Sequence, residues 1–197
     1  MQKLRVDEVM PLDAYERERT TFRAKVIAHK KQRRVLLGPE MSLVFEDRLT
    51  VLNQVLEMVR AEKITRPEAI ADEVAVYNEL VPEDGSLSAT LMIEVVDAAQ
   101  RALRQRDYMG LEKHLHLELD GARTTGVFDP RGLEPDQIAV VQYVSFAVGV
   151  AARDALLDLS KPAAIVCTHP RYGYRAELTA DTRRSLADDL RTSPASQ

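Results

Sequence analysis

The fold is decided by one stretch, residues 33–64, which reads RRVLLGPEMSLVFEDRLTVLNQVLEMVRAEKI. It predicts the end of a basic helix, a stop at Gly38-Pro39, a short apolar strand over residues 41–45 and a long helix from about Asp47. At about 100° per residue, apolar side chains fill roughly half of the circumference of that long helix. They are Leu49, Val51, Leu52, Val55, Leu56, Met58 and Val59. An arc of this width predicts a central helix packed between a sheet and another helix.

The opposite side of the long helix carries Gln54, Glu57 and Arg60, and the last two lie one turn apart. One interpretation is a solvated face with a surface ion pair that contributes under about 1 kcal/mol. The other is a polar cleft, lined by these three residues together with Glu40 and Glu46 from the preceding loop and strand end. The sequence leaves both interpretations open.

Composition narrows the class of protein. The chain has 197 residues, of which 45% are apolar and 29% charged, and these values are typical of a globular domain. The net charge of −4 gives no overall attraction to nucleic acid or to an anionic membrane. An acidic start at Asp7 and Glu8, the lack of an apolar run long enough to span a bilayer and a single cysteine favour a cytoplasmic protein.

The order of the predicted elements indicates an α+β fold. We predict one domain over residues 1–192, with a helical part at 11–82, a sheet part at 86–179, a last helix at 180–191 and a disordered tail at 193–197. The first helix is expected to run to about Leu36, and the third to start at Thr65 as N-cap, with Glu68 completing a capping box. The C-terminal half is expected to form a mostly antiparallel or mixed sheet, covered by the N-terminal helices.

Histidines and a cysteine suggest a metal site in the sheet part. On the predicted strand at 114–119, His114, His116 and Glu118 share one face. Cys167 and His169 repeat the two-residue spacing on a later strand, so the five residues would form an iron or zinc site if the strands were neighbours. The same pattern also fits an ordinary half-exposed sheet. His116 or His169 could instead act as an acid or base oriented by Glu118.

Two further sets of residues are candidate anion sites. Arg171 and Tyr172 lie at a predicted strand break, and Arg123, just after the turn at Asp120-Gly121, could join them. The segment from Arg17 to Arg34 contains eight basic residues and one acid, which is the pattern of a nucleic-acid footprint. A surface turn and a solvated helix are the alternatives for the two sets.

Several short motifs resemble a bacterial family of about this length that is known only as a domain of unknown function. They are Arg34-x-x-Leu37-Gly38-Pro39-Glu40, Leu43-x-Phe45-Glu46, Gln54-x-x-Glu57-Met58-x-Arg60-x-Glu62, Tyr77-Asn78-Glu79-Leu80, Ser88-Ala89-Thr90-Leu91 and Val141-Gln142-Tyr143-Val144. The resemblance implies a single domain over nearly the whole chain. It also implies, by association with gene neighbourhoods for rubrerythrin and iron–sulfur oxidoreductases, a role near peroxide or iron metabolism.

Three functional hypotheses follow. The leading one is an accessory or binding protein with a redox or iron protein as partner, using the surface around Glu57 and Arg60 or the histidine-bearing strand. The second is a metal-dependent enzyme that uses His114, His116 and Glu118. The third is a nucleic-acid binder that uses the basic first helix, which the net charge disfavours. The thin apolar stripe of that helix also suggests a homodimer.

Overall fold

Two antiparallel β-sheets and six α-helices form the fold in the computed structural model, which describes residues 1–149 and 151–190. The predicted α+β class is confirmed. The disordered tail expected at 193–197 lies outside the described residues. So does residue 191, the expected end of the last helix. Within the described part of the chain, no helix is both long and apolar enough to cross a membrane.

The elements follow one another with short connections. The helices are α1 (Leu12–Arg33), α2 (Arg48–Ala61), α3 (Pro67–Tyr77), α4 (Ala98–Asp107), α5 (Ala152–Leu157) and α6 (Ala180–Asp189). The strands are β1 (Arg34–Leu37), β2 (Met41–Glu46), β3 (Ser86–Ile93), β4 (Leu115–Leu119), β5 (Ala122–Thr125), β6 (Val127–Phe128), β7 (Val141–Ala147), β8 (Ala163–His169) and β9 (Tyr172–Glu177).

The main core lies between the two sheets. The first sheet has the strand order β1-β2-β3-β7-β6, and the second has the order β5-β4-β8-β9. Phe45 and Leu91 from the first sheet and Leu117 and Ile165 from the second are fully buried in one apolar cluster. A second cluster contains the inward residues of α2 with parts of α3. Helix α2 contacts α1, α3 and β2, so its predicted place between a sheet and other helices is confirmed.

The two sheets are joined at both ends. At one corner the chain passes from β5 to β6 through Gly126, whose N–H donates to the Leu115 carbonyl at 2.9 Å. A Cβ on Gly126 would lie 2.5 Å from the Val144 side chain, so glycine is required there. At the other end, the Tyr172 hydroxyl of β9 donates to the Leu37 carbonyl at 2.5 Å and accepts from the Glu40 N–H at 2.9 Å. Tyr172 therefore holds the β1–β2 turn against the second sheet.

Three sequence expectations need correction. Residues 34–37 form strand β1 and not the end of the first helix, because Val35 and Leu37 alternate inward and pair with β2. Strand β1 therefore joins the strand that was predicted over residues 41–45, and there are two sheets rather than one. Helix α3 is capped by Arg66 and not by Thr65. The residue before a proline is driven to extended backbone, and Pro67 therefore sets the boundary one residue later.

A buried charged network joins α1, β2, α2 and α6. Arg33 is 1% exposed, and its guanidinium donates to the Phe45 carbonyl at 2.8 Å and to the carboxylate of Asp189. Asp47, the N-cap of α2, lies 3.5 Å from Arg33 and 2.5 Å from the His29 ring nitrogen. Burial opposes ionisation of Asp47, but Arg33 and the Thr50 N–H hold the pKa of this carboxyl below its usual value. The local pattern of residues around Arg33 does not indicate that this side chain is buried.

Asp189, the other carboxyl of this network, should make the free energy of unfolding depend on pH. Burial outweighs the adjacent Arg33 and raises the pKa of Asp189 from 3.8 to about 6. The stabilising contribution of the protonated acid is therefore complete below about pH 4 and is lost as the pH rises through 6. We expect Asp189→Asn to remove this dependence. The difference in unfolding free energy between wild type and variant should change by about 2.5 kcal/mol between pH 4 and pH 7. Urea denaturation across this range tests it, and parallel pH profiles would contradict it.

Candidate functional site

The strands that carry the histidines are neighbours, as the metal hypothesis required, but they do not present their side chains to one face. Leu115 pairs with Cys167, and both point into the main core. His116 pairs with Val166 on the outer face, and His114 precedes β4 at the end of a 3-10 turn. The predicted set of five is therefore divided between the two faces of the sheet.

The inward members of the set are engaged by the protein. The ring of His169 donates through Nε2 to the Met109 carbonyl at 3.1 Å and accepts the Arg171 N–H at Nδ1, 3.3 Å away. Burial raises the pKa of the Cys167 thiol, which disfavours the thiolate that binds metals. On the outer face, Glu118 accepts from Arg123 at 2.8 Å. Residues 1–149 and 151–190 contain no group of three or more His, Cys, Asp or Glu placed to hold an ion.

His114 lies close to two other imidazoles. Its ring meets the His169 ring edge to face, with ring centroids 5.4 Å apart, and it converges with His116 on one hydroxyl group. His114 Nδ1 and His116 Nε2 lie 3.1 and 3.2 Å from the same Thr168 hydroxyl oxygen. Burial, followed by the charges of Arg123 and His114, lowers the pKa of His116, so its ring is neutral and able to bind a metal. Two imidazoles and a hydroxyl are fewer strong ligands than iron or zinc sites ordinarily have. An iron or zinc site here stays a prediction.

The predicted anion site is not assembled. Arg123 is engaged by Glu118 at one end of the second sheet, and Arg171 pairs with Asp107 at the β8–β9 turn. Tyr172 is buried, and its hydroxyl is used by the β1–β2 turn. The three side chains therefore serve separate structural contacts.

The polar side of α2 is covered by α1. The Arg19 guanidinium donates two bonds of 2.8 Å to Glu57, and the Tyr15 hydroxyl adds a third at 2.5 Å. These bonds, with that of Arg19 first, lower the pKa of Glu57 to about 2. Arg60 pairs with Glu16 of α1 at 2.8 Å and not with Glu57. The predicted Glu57–Arg60 pair is therefore wrong, since a second helix competes for both groups.

The remaining residues proposed for that cleft are spread over different places. Glu40 accepts from Arg104 and Tyr108, Gln54 is half-buried on α2, and Glu46 is buried on the first sheet. The polar cleft predicted from the sequence is therefore not formed by Glu40, Glu46, Gln54, Glu57 and Arg60.

The basic segment is also partly neutralised by the fold. Arg17 pairs with Asp13, Arg19 with Glu57 and Arg34 with Glu94, while Arg33 is buried. At least these four of its eight basic residues are therefore engaged within the chain, which reduces the charge available to a nucleic acid.

One concave feature was not indicated by the sequence. A cleft lies between α3 with the turn that follows it and the strands β6 and β7, with two lobes of about 370 and 470 Å³. Both lobes are lined by Glu79, Leu80, Asp129, Arg131 and Tyr143. We call it the α3–β7 cleft. Its size falls in the range of small-molecule sites.

The walls of the α3–β7 cleft are apolar with a few charged groups. Val76, Tyr77 and Val141 contribute to the smaller lobe, and Val127 to the larger. Arg131 is held by Asp129, and by Glu79 at 2.5 Å. Burial, followed by the charge of Glu46, raises the pKa of Tyr143, so its hydroxyl stays protonated and can donate. Solvent-exposed valines beside a fixed ion pair are the physical signal of this site, but no local sequence motif encodes it.

Comparison with known proteins gives the family. A family model described as "Protein of unknown function (DUF3501)" matches residues 3–190. The chain belongs to this family. A DUF3501 relationship agrees with the resemblance drawn from the sequence motifs. Among curated proteins, none matches the chain.

One solved structure supports the fold in detail. It is the crystal structure, at 1.90 Å resolution, of a protein of unknown function from Burkholderia pseudomallei K96243. The two proteins share 34% sequence identity, and the alignment covers 96% of this chain and 100% of the other with a TM-score of 0.89. The architecture described above is therefore similar to that of a solved protein.

Proposed function

We propose that this DUF3501 protein is a binding protein that takes a small organic ligand in the α3–β7 cleft. The observation that carries the proposal is a cleft of ligand size whose walls expose valine side chains around a fixed Arg131 ion pair. Concave apolar walls with a few ordered polar groups are the usual form of a ligand site. Exposed apolar residues in such a place also cost free energy unless a ligand covers them.

The cellular setting is a further proposal. We propose that the protein acts in the cytoplasm, which its single cysteine favours, beside a redox or iron protein involved in the response to oxidative stress. The association of the family resemblance with rubrerythrin and iron–sulfur gene neighbourhoods supports the choice of partner. A ligand-binding accessory protein fits such a setting, because binding can couple a small molecule to the state of the partner. The partner protein and the homodimer expected from the sequence stay predictions.

A metal-binding role is the second candidate function. The convergence of His114 and His116 on Thr168 is the observation that favours it. We expect wild-type protein purified without a His-tag to bind zinc, and His114→Ala/His116→Ala to lose that binding, as measured by elemental analysis after dialysis. Equal metal content in the two proteins would exclude this pair as the site.

Binding of a neutral fluorescent probe, N-phenyl-1-naphthylamine, tests the cleft directly. Val76 on α3 is 55% exposed and lines the cleft, whereas Leu103 on α4 is 54% exposed and lies outside it. We expect saturable binding that Val76→Glu weakens by at least about tenfold, since the new carboxylate would have to be desolvated by an apolar probe. The matched control Leu103→Glu should bind the probe as wild type does.

Two results would contradict the proposal. One is probe fluorescence that rises without saturation in the wild-type protein. The other is an equal effect of Val76→Glu and Leu103→Glu, which would show that the probe contacts apolar surface in general. Circular dichroism of the three proteins should be the same, because both substitutions lie at exposed helix positions.

A further inference from the structure

The charges around the α3–β7 cleft are predominantly negative. Glu73, Glu79 and Asp129 line it, and Arg131 is the positive group among its lining residues. Arg131 is already bound by Asp129 and Glu79, so little of its charge is available to a ligand. A carboxylate or phosphate ligand would therefore meet repulsion in the cleft, whereas a cation would be attracted.

A row of polar side chains leads from the cleft into the protein. Glu46 pairs with Ser88, and Ser88 pairs with Ser145, across β2, β3 and β7. Residues paired in this way point to the same face of the sheet. Ser88 and Ser145 line the larger lobe of the cleft. Glu46 therefore stands at the inner end of the row, one strand of about 4.8 Å beyond Ser88.

The carboxyl group of Glu46 has an unmet hydrogen-bonding need. Glu46 is 2% exposed, and its Oε1 accepts from the Thr90 hydroxyl at 2.6 Å. Its Oε2 is buried and has no hydrogen-bond partner among the described residues. Arg33 contacts only the main-chain carbonyl of Glu46, while its charge is used by Asp189. Buried carboxyl oxygens are normally hydrogen-bonded, so the position calls for a donor that the chain does not supply.

We propose that the ligand of the cleft is an apolar organic cation, an alkylammonium in its simplest form, and that Glu46 is its counter-ion. This inference rests on the proposed function of the cleft. The hydrocarbon part packs against Val76, Tyr77 and Val141, and the ammonium group lies along the serine row with an N–H directed to Glu46 Oε2. The outer carboxylates of Glu79 and Asp129 favour entry of the same charge.

Displacement of the bound naphthylamine probe by three ten-carbon competitors tests the charge preference. The competitors are decylamine, 1-decanol and decanoate at pH 7, below their micelle-forming concentrations, where the amine is a cation and the acid an anion. We expect decylamine to displace the probe at a concentration at least about tenfold lower than decanoate, as the electrostatic complementarity requires. The concentration of decanol that displaces the probe should lie between those of the amine and the acid. Equal potency of amine and decanoate would overturn the proposal.

Substitution of the proposed counter-ion tests its role. Glu46→Gln keeps an oxygen that can accept from Thr90 but removes the charge. We expect this substitution to weaken the binding of decylamine by at least about tenfold, as for a buried charge pair that loses one partner. The affinity for decanol should not change. Glu40→Gln is the matched control, because both oxygens of the Glu40 carboxylate are bound by Arg104 and Tyr108 and the residue lies outside the row formed by Glu46, Ser88 and Ser145.

The outcomes separate the two proposals. If Glu46→Gln preserves the ratio of decylamine to decanol affinity, Glu46 is not the counter-ion. The function of the cleft would then still stand on the response of the probe to Val76→Glu. If decanol binding is lost together with decylamine binding, Glu46 is needed for the shape of the cleft, and the role as counter-ion is likewise refuted.

Discussion

Replacing Arg33 by methionine should lower the free energy of unfolding by about 3 to 5 kcal/mol at pH 7. The guanidinium is buried with Asp189, lies 3.5 Å from Asp47, and also donates to the carbonyls of Phe45 and Glu46. Removing one partner of a buried ion pair leaves the other charge without compensation, which costs several kcal/mol. Methionine retains most of the side-chain volume, so the loss reports the charge and the hydrogen bonds. Urea denaturation monitored by circular dichroism measures it.

The matched control is Arg17→Met on the same helix. Arg17 is exposed and pairs with Asp13 one turn away, and such a solvent-screened pair contributes little to stability. A second comparison removes both buried charges. Arg33→Met/Asp189→Leu should recover part of the loss, since an apolar pair avoids the desolvation of two ions. A loss for Arg33→Met no larger than that for Arg17→Met would show that the network is not stabilising.

Gly38→Ala should destabilise the protein by about 2 to 5 kcal/mol. Gly38 has φ +68°, and this left-handed conformation costs an alanine about 1 to 2 kcal/mol. The new Cβ would also lie 2.7 Å from the Tyr172 hydroxyl and 2.7 Å from the Tyr174 ring. Moving Tyr172 breaks its bonds to Leu37 and Glu40, and such overpacking adds about 1 to 3 kcal/mol. Thermal and urea denaturation measure the change.

Gly121→Ala separates backbone strain from overpacking. Gly121 has φ +81°, but no atom lies within 4 Å of the position where its Cβ would be. This variant should lose only the conformational part, about 1 to 2 kcal/mol. Equal losses at the two glycines would mean that Tyr172 moves aside without cost, and the β1–β2 turn would then not depend on its hydroxyl.

Patterns along the chain predicted the elements better than they predicted the site. The wide apolar arc of α2 and the alternation in residues 114–119 report local periodicity, and both elements formed. Strand β1 was missed because four residues after a long helix are too short to show a period, and their pairing with β2 decides the outcome. The expected Glu57–Arg60 pair failed for a related reason, since α1 supplies Arg19 and Glu16 from distant positions in the sequence.

The candidate cleft depends even more on contacts between segments that are distant in the sequence. Its walls come from α3, from the loop at Asp129 and Arg131 and from β7, which are brought together by strand pairing and helix packing. The residue pattern of one segment does not show which distant segments will pack against it. The converse holds for Cys167 and His169: their spacing is real, but the register of β4 with β8 turns both toward the core. The pairing register between strands decides whether a side chain faces the core or the solvent. The sequence of a single strand does not contain that information.

The contact between Arg33 and Asp189 joins positions 156 residues apart, and this separation affects the order of events during biosynthesis. At about 5 to 20 residues per second, a ribosome adds Asp189 roughly 8 to 30 s after Arg33. Until α6 emerges, Arg33 lacks this carboxylate, and dehydrating its charge beneath α1 is costly. Until then Asp47 is the carboxylate beside Arg33. We therefore expect the corner formed by α1, β2 and α2 to stay partly hydrated on the nascent chain and to close fully only when α6, one of the last helices to be made, has been synthesised.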